Sequence, residues 1–156
     1  MLLKKSAGAV IFRKEPFDAA QGKGDKIYYL LLNYNAIGKV EKTYWGLTKG
    51  TIEEGEKEID TILREVKEET GIDDLKFIDG FKEVEKYFFK HEEKTIFKTV
   101  YYLLAETKTK DIILSFEHLG HKWLPYEEAI EQLTFKNAKD ILQKANSFLS
   151  KEGFYL

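Results

Sequence analysis

The sequence predicts an α/β sandwich, in which a mixed β-sheet lies between helices. Strand-like apolar or alternating segments occur along most of the chain. One amphipathic helix is predicted after the first strands, and two more are predicted near the end. Helices in this order are expected to cover both faces of the sheet. The 156 residues can bury a core of ordinary size, and we expect residues 1–156 to form a single domain.

The composition restricts the possible functions. The chain has no cysteine, which excludes disulfides and thiolate metal sites. Its 25 Lys and Arg residues nearly balance 27 Asp and Glu residues, so a general nucleic-acid binder is not indicated. No stretch approaches the ~20 apolar residues of a membrane span, and the N-terminal apolar run is too short for a signal peptide. We expect a soluble cytoplasmic protein, either a monomer or a homodimer.

Three strands are predicted before the first helix. They are separated by polar segments rich in glycine or asparagine, which predict loops. The segment expected to be central is a continuous apolar run, typical of a strand covered on both faces. The predicted strands are Ser6–Arg13, Lys26–Leu32 and Tyr44–Gly50, and the loops are Lys14–Asp25 and Asn33–Thr43.

The first helix is predicted over Lys57–Thr70, with its N-terminus near Gly55-Glu56 and Gly71 just past its end in a left-handed conformation. Residues three and four apart share a helix face, which gives one apolar stripe that must pack against the protein. The stripe consists of Ile59, Ile62, Leu63 and Val66. Beside it lie three glutamates, Glu65, Glu68 and Glu69, whose mutual repulsion a bound cation would relieve.

The second half of the chain is predicted to contain four strands and two helices. Two long strands, Leu75–Phe89 and Thr95–Thr107, are joined by a turn at Lys90–Lys94, and shorter strands follow at Asp111–Phe116 and Gly120–Leu124. Pro125 is suited to the first turn of a helix that runs through Glu131. Thr134 is predicted to cap a final helix whose inward face is Phe135, Ala138, Ile141, Leu142, Ala145, Phe148 and Leu149.

The stretch Gly50–Ile72 resembles the Nudix box. Gly50 is followed after five residues by Glu56 and after seven more by REVKEETGI, which matches every fixed position. The resemblance implies an α/β/α sandwich that hydrolyses a nucleoside diphosphate linked to another group, X, with Mg²⁺ or Mn²⁺. A small-molecule nucleotide is the implied partner.

Segments outside the box resemble the asymmetrical diadenosine tetraphosphate hydrolases. They include SAGAVIFRK from Ser6, SFEHLGHKWL from Ser115 and LTFKNAK from Leu133. The implied reaction is cleavage of diadenosine tetraphosphate to ATP and AMP. The extended turn Phe88–Ile96 and Tyr44, where those enzymes can carry a histidine, depart from the pattern.

Two other functions stay open at this point. One is hydrolysis of another nucleotide: a nucleoside triphosphate, ADP-ribose or the 5′-triphosphate end of RNA. The other is a nucleotide-sensing module without activity, which is disfavoured because the box glutamates are all retained.

The box glutamates are the candidate metal ligands. Glu65 and Glu69, at i and i+4, can approach one cation from adjacent turns, and Glu68 can bind a second cation or a water. Oxygen ligands suit a hard cation such as Mg²⁺. The resemblance adds the Gly50 carbonyl and the Glu117 carboxylate.

Arg64 and one glutamate are the remaining candidate catalytic residues. We expect Glu65 to receive the proton of the attacking water, with Glu68 as the alternative. The resemblance implies that Arg64 clamps a box glutamate, with Glu53 or Glu56 as further partners. The alternative for Arg64 is a surface ion pair worth less than about 1 kcal/mol.

Substrate binding is expected outside the box. The resemblance assigns Lys49 and Lys98 to the phosphates, and Tyr87 and Phe135 to a nucleobase stacked between them. For Phe135, packing in the core is an alternative. His118 is expected to contact a phosphate or orient the Glu117 loop. A zinc pair with His121 is disfavoured, because no cysteine is present and the other ligands are carboxylates.

Overall fold

The computed structural model describes residues 1–15, 26–35 and 42–154. Within these ranges there are eight strands and three helices. In chain order they are β1 (Leu2–Glu15), β2 (Lys26–Asn35), β3 (Thr43–Gly46), β4 (Thr48–Thr51), α1 (Glu58–Thr70), β5 (Lys76–Phe77), β6 (Glu83–His91), β7 (Lys94–Glu106), β8 (His118–Leu124), α2 (Tyr126–Gln132) and α3 (Lys136–Lys151). Most of both predicted loops, 14–25 and 33–43, lies outside the described residues. None of the helices in these ranges combines the length and apolar character needed to cross a membrane.

The sheet is organised around β1. This strand pairs parallel with β7 and antiparallel with β2 and β4. Strand β2 also carries β3 and β8, and β7 also carries β5 and β6, all antiparallel. The predicted mixed sheet is therefore confirmed, with β1 as the strand that brings both halves of the chain together.

Helices cover the two faces of this sheet with separate cores. Helix α1 packs on one face, where the fully buried residues are Ala7, Ala9, Ile11, Leu30, Leu32, Ile62, Val66 and Ile72. Helices α2 and α3 pack on the other face, whose core includes Val10, Phe12, Tyr29, Leu31, Val100, Leu104, Ile141, Leu142, Ala145 and Leu149. Because alternate residues of a strand point to opposite faces, β1 supplies both cores. The predicted sandwich is confirmed.

The predicted strand Leu75–Phe89 is divided in two. Gly80 lies between β5 and β6 with a φ of +94°, a conformation that a side chain would strain. The turn predicted at Lys90–Lys94 is confirmed, but it is shorter than expected. Only Glu92 and Glu93, both with positive φ, separate β6 from β7.

The predicted strand Asp111–Phe116 is wrong. These residues do not join the sheet, because their backbone satisfies the end of α1. The amide of Ile113 donates to the carbonyl of Thr70 at 3.0 Å, and that of Ser115 donates to the carbonyl of Glu69 at 3.1 Å. The last carbonyls of a helix have no partner within the helix, so this segment supplies one.

Helix α1 begins slightly later than predicted and buries a different face. It starts at Glu58, whereas its C-terminal Gly71 has the expected left-handed φ of +77°. Ile62 and Val66 are buried as predicted, but Ile59 and Leu63 are 44% and 41% exposed. The inward face therefore lies closer to Thr61, Thr70 and Glu69, which are buried.

The predicted cap at Thr134 is also wrong. Helix α3 begins at Lys136, and the Thr134 hydroxyl accepts a hydrogen bond from the Trp45 amide at 2.8 Å. The Thr134 amide donates in return to the Trp45 carbonyl at 3.1 Å. Thr134 thus fastens the start of α3 to β3. Phe135, predicted to face inward, is 56% exposed beside this junction.

Candidate active site

The candidate site is divided by β4. Lys49 and Gly50 are adjacent, so they face opposite sides of the sheet. Lys49 lines a cavity on the α3 side. On the α1 side, a Cβ added at Gly50 would lie 2.2 Å from the carboxyl carbon of Glu65, so only glycine allows this approach. Strand β4 therefore lines the cavity with one face and lies against Glu65 of α1 with the other.

Arg64 is the centre of the contacts on the α1 side. Its guanidinium donates to both carboxylate oxygens of Glu56, at 2.8 and 2.9 Å, and to Oε1 of Glu65 at 2.8 Å. A further bond reaches the Thr51 carbonyl at 3.1 Å. The contact with Arg64, together with a bond from the Glu53 amide, lowers the pKa of Glu56 to about 2. Arg64 thus holds Glu65 against β4.

The other two box glutamates lie in different environments. The Glu68 side chain is 62% exposed, and its Oε2 lies 3.7 Å from Arg64 Nη1. Glu69 is only 8% exposed. Burial, and then its contact with Glu65, raises the pKa of Glu69, and the charges of Glu117 and Glu68 add to this rise. An ionised Glu69 is therefore unfavourable here without a compensating positive charge.

His118 lies against Glu69. Its Nε2 is 3.4 Å from Oε2 of Glu69, and neither ring nitrogen has a hydrogen-bond partner among the described residues. Burial lowers the pKa of His118, which favours the neutral ring. The structure thus places His118 with the carboxylates, and its predicted contact with a phosphate stays a prediction.

The donor set fits a hard cation. Among the described residues, no three His, Asp or Glu side chains already have positions that could hold an ion. Even so, Oε2 of Glu69 is buried without a hydrogen-bond partner in that part of the chain, and Glu65 fills the space above Gly50. A divalent cation would satisfy that oxygen and offset the repulsion between the carboxylates. The ligands Gly50, Glu65, Glu68, Glu69 and Glu117 remain predictions.

The cavity on the α3 side has a volume of about 560 Å³, and four of its eleven described lining residues are aromatic. Tyr44, Tyr87 and Phe135 line it, and the rings of Tyr44 and Phe135 are 5.3 Å apart. The predicted pair Tyr87 and Phe135 is therefore brought to one cavity. The other lining residues are Gly46, Leu47, Lys49, Glu85, Tyr102, Lys136, Asn137 and Ala138.

Three lysines carry positive charge at this cavity, and one of them, Lys136, lines it at the start of α3. Lys49 also lines it, and burial lowers the pKa of Lys49 while Glu85 opposes the shift. Lys98 does not line it but is paired across strands with Tyr87. Burial and the charge of Lys49 lower the pKa of Lys98. A bound anion would relieve this repulsion, as the predicted phosphate role requires.

Tyr34 is a residue that sequence reasoning missed. Its ring stacks on Tyr44 at 5.0 Å, meets the His118 ring edge-on at 4.7 Å, and its hydroxyl donates to the Leu47 carbonyl at 2.7 Å. Tyr34 therefore connects the cavity to the carboxylates. The polar residues from Asn33 predict a loop that includes Tyr34, although β2 continues to Asn35. Two cavity residues, Glu85 and Asn137, were also missed, because nothing in their local sequence distinguishes them from surface residues.

The chain is similar to known proteins over most of its length. The NUDIX domain model matches residues 4–145. The asymmetrical bis(5′-nucleosyl)-tetraphosphatase of Sus scrofa is 35% identical over 150 residues, covering 93% of this chain and 95% of that protein. The crystal structure of a Caenorhabditis elegans Ap4A hydrolase binary complex superposes with a TM-score of 0.74 at 32% identity, covering 95% of this chain and 98% of that one.

A more distant relative has a different name. The RNA pyrophosphohydrolase of Nitratiruptor is 29% identical over 123 residues, covering 71% of this chain and 77% of that protein.

Proposed function

The chain belongs to the Nudix family, and from this premise we propose that it hydrolyses dinucleoside polyphosphates, cleaving diadenosine tetraphosphate asymmetrically to ATP and AMP. The observation that carries the proposal is the junction at β4, where an aromatic cavity with lysines meets the carboxylates of α1. The similarity to tetraphosphatases over most of both chains supports the same substrate.

The chemical character of each part of the substrate suggests where that part binds. A nucleobase stacks between Tyr87 and Phe135 in the cavity, where each stack contributes about 1–3 kcal/mol. Its polyphosphate passes Lys49 and Lys98 towards the glutamates on the other side of β4. This order puts neutral, flat groups on the aromatic rings and the charged chain on the lysines.

The proposed reaction is attack of water on phosphorus. A new bond forms between the water oxygen and phosphorus, and one bridging P–O bond breaks, so that the electron pair leaves with the departing phosphate. Glu65 receives the proton of the water, with Glu68 as the alternative base. Arg64 keeps Glu65 in position through the contact at 2.8 Å.

Nudix hydrolases generally use divalent metal ions, and we propose Mg²⁺ or Mn²⁺ here. A cation bound by Glu65, Glu68, Glu69, Glu117 and the Gly50 carbonyl would neutralise phosphate charge and lower the pKa of water. Dialysed protein should regain activity when either ion is added. If the protein were as active after chelation as with added Mg²⁺ or Mn²⁺, the proposed need for a divalent cation would be contradicted. A single domain over residues 1–156 and a cytoplasmic location complete the proposal.

A second candidate activity is removal of pyrophosphate from the 5′-triphosphate end of RNA. The similarity to the Nitratiruptor enzyme favours it, although that match covers less of the chain. The cavity volume of about 560 Å³ lies in the range of small-molecule sites, which favours a free nucleotide over a long strand.

A substrate panel tests the proposal. Purified protein with Mg²⁺ is incubated separately with diadenosine tetraphosphate, ATP, ADP-ribose and triphosphorylated RNA, and the products are resolved in ¹⁸O-labelled water. We expect ATP and AMP from the first substrate with the highest kcat/KM. The label in one of these two products identifies the attacked phosphate. Absence of both products, with turnover of another substrate, would overturn the proposal.

A further inference from the structure

The aromatic cavity contains one acid among its described lining residues, Glu85. Glu85 precedes Tyr87 by two positions on β6, so both side chains lie on the same face of the sheet. The side-chain nitrogen of Asn137, at the start of α3, donates to Oε1 of Glu85 at 3.0 Å. This contact joins α3 to the sheet and fixes the orientation of the carboxylate.

The groups around Glu85 are mainly donors. The Lys49 and Lys98 ammonium groups feel its charge, since Glu85 opposes the lowering of both pKa values by burial. The buried Tyr102 hydroxyl is also close enough for Glu85 to add to the rise of its pKa. An ionised carboxylate offers about four lone-pair sites; the bond from Asn137 uses one and the contact with the Tyr102 hydroxyl a second, which leaves sites for a ligand.

A carboxylate in this position discriminates between parts of a nucleotide. It only accepts hydrogen bonds, so it repels phosphate and attracts N–H and O–H groups. A nucleoside has such groups on its ribose and on the edge of its base, whereas the stacked faces of the base have none. Stacking on Tyr87 and Phe135 tolerates every base. A polar group with a fixed direction is what adds selectivity to such a cavity.

Resting on the proposed function, we propose that Glu85, oriented by Asn137, accepts a hydrogen bond from the nucleoside bound in the cavity and determines which nucleosides bind. The donor is either a ribose hydroxyl or an N–H of the base edge. Glu85 thus serves as a specificity residue, while the glutamates of α1 serve the reaction.

The variant Glu85→Gln tests this directly. Because Asn137 donates to one oxygen, the glutamine amide must turn its carbonyl towards Asn137 and present its own N–H₂ to the nucleoside, donor against donor. The matched control is Glu83→Gln on the same strand, since Glu83 pairs with Lys144 at 2.8 Å and does not line this cavity.

Binding is measured by calorimetry without metal, with AMP, its 2′-deoxy and 3′-deoxy forms, and purine riboside monophosphate, which lacks the amine. We expect Glu85→Gln to weaken AMP binding about tenfold or more, as for a bond to a charged group. At least one analogue should bind the wild type about as weakly as AMP binds Glu85→Gln, and its affinity should not fall further in the variant. The group that this analogue lacks is then the donor. Glu83→Gln should match the wild type throughout.

Several results would overturn the inference: undetectable binding of AMP, no loss in Glu85→Gln, or an equal loss for AMP and every analogue, which would make Glu85 a general counter-ion. Hydrolysis of diadenosine tetraphosphate is assayed separately. Hydrolysis without dependence on Glu85 contradicts only this inference, whereas Glu85-dependent binding without hydrolysis contradicts only the proposed reaction.

Discussion

The two regions that meet at β4, the cavity and the carboxylates of α1, differ in their electrostatic environment. The cavity is lined by aromatic rings and by Lys49 and Lys136, and two of its rings, those of Tyr44 and Phe135, are in contact at 5.3 Å. The α1 side gathers carboxylates, of which Glu69 is buried with one oxygen unpaired among the described residues. The cavity is thus prepared for a neutral flat ligand, whereas the α1 side is electrostatically unfavourable until a cation binds.

This difference separates two roles. Groups on the α1 side should determine the turnover rate, because they act where charge changes during the reaction. Groups in the cavity should determine affinity, because stacking on the nucleobase is the same before and during the reaction. Variants on each side therefore test whether rate and affinity are divided in this way.

The largest effect is expected for Glu69→Gln. Removing the buried charge should lower kcat for diadenosine tetraphosphate by about 10²- to 10³-fold or more, as for other groups that stabilise developing charge. Affinity for AMP in the cavity should be unchanged. Steady-state kinetics with Mg²⁺ and calorimetry measure the two quantities.

Glu58→Gln is the control for this variant. Glu58 lies in the first turn of the same helix and pairs with Lys82 at 2.8 Å, away from Arg64. Its kcat should equal that of the wild type. If Glu69→Gln also retained full activity, Glu69 would not belong to the site.

A smaller loss is expected for Arg64→Lys. Lysine keeps the charge but cannot bind Glu56 through two parallel hydrogen bonds while also reaching Glu65. Because small displacements of reacting groups can cost about 10²-fold, kcat should fall by roughly that factor with KM little changed. An unchanged kcat would mean that Arg64 is only a surface ion pair, the alternative considered from the sequence.

The box side could be predicted from sequence because its geometry is local. Glu65, Glu68 and Glu69 lie within two turns of one helix, so the helical repeat alone places them together. Even there, the prediction erred where tertiary contacts decide. Ile59 and Leu63 follow the apolar pattern but are exposed, and burial falls instead on Glu69.

The cavity side depends on pairing between distant parts of the chain. Tyr87 and Phe135 could be assigned only through the family resemblance, and Glu85 and Asn137, 52 positions apart, could not be assigned at all. The contact of Thr134 with Trp45 likewise brings together α3 and β3, which overrode the local capping pattern. Long-range contacts of this kind leave no periodic signal in one sequence.

On the cavity side, Phe135→Ala should raise KM about tenfold with little change in kcat, since one base stack contributes about 1–3 kcal/mol. Phe135 is 56% exposed, so the melting temperature should hardly change. The matched control is Phe88→Ala: Phe88 is 63% exposed and follows Tyr87 on β6, and therefore faces the other side of the sheet. Equal effects of both variants on KM would contradict the assignment of Phe135 to the nucleobase.

The smallest effect concerns stability rather than rate, and it tests whether burial makes an ionised Glu69 unfavourable in the metal-free protein. The pKa of Glu69 is raised above its ordinary value of 4.5, so above pH 4.5 the unfolded chain binds fewer protons than the metal-free folded protein. The free energy of unfolding should therefore fall as the pH rises, by at most about 1.4 kcal/mol per pH unit for one group. Denaturant titrations at several pH values measure this slope.

His118 requires a choice of pH range. Burial lowers its pKa below 6.5, so the unfolded chain binds more protons through this group near and below pH 6.5, which gives stability the opposite slope there. Between about pH 7 and 8.5, the slope from Glu69 should dominate. It should vanish in Glu69→Gln, persist in Glu58→Gln, and disappear in the wild type at saturating Mg²⁺, because a cation stabilises the ionised carboxylate. If the slope were the same in the wild type and Glu69→Gln, burial would not make an ionised Glu69 unfavourable, and the proposed electrostatic difference between the α1 side and the cavity would be wrong.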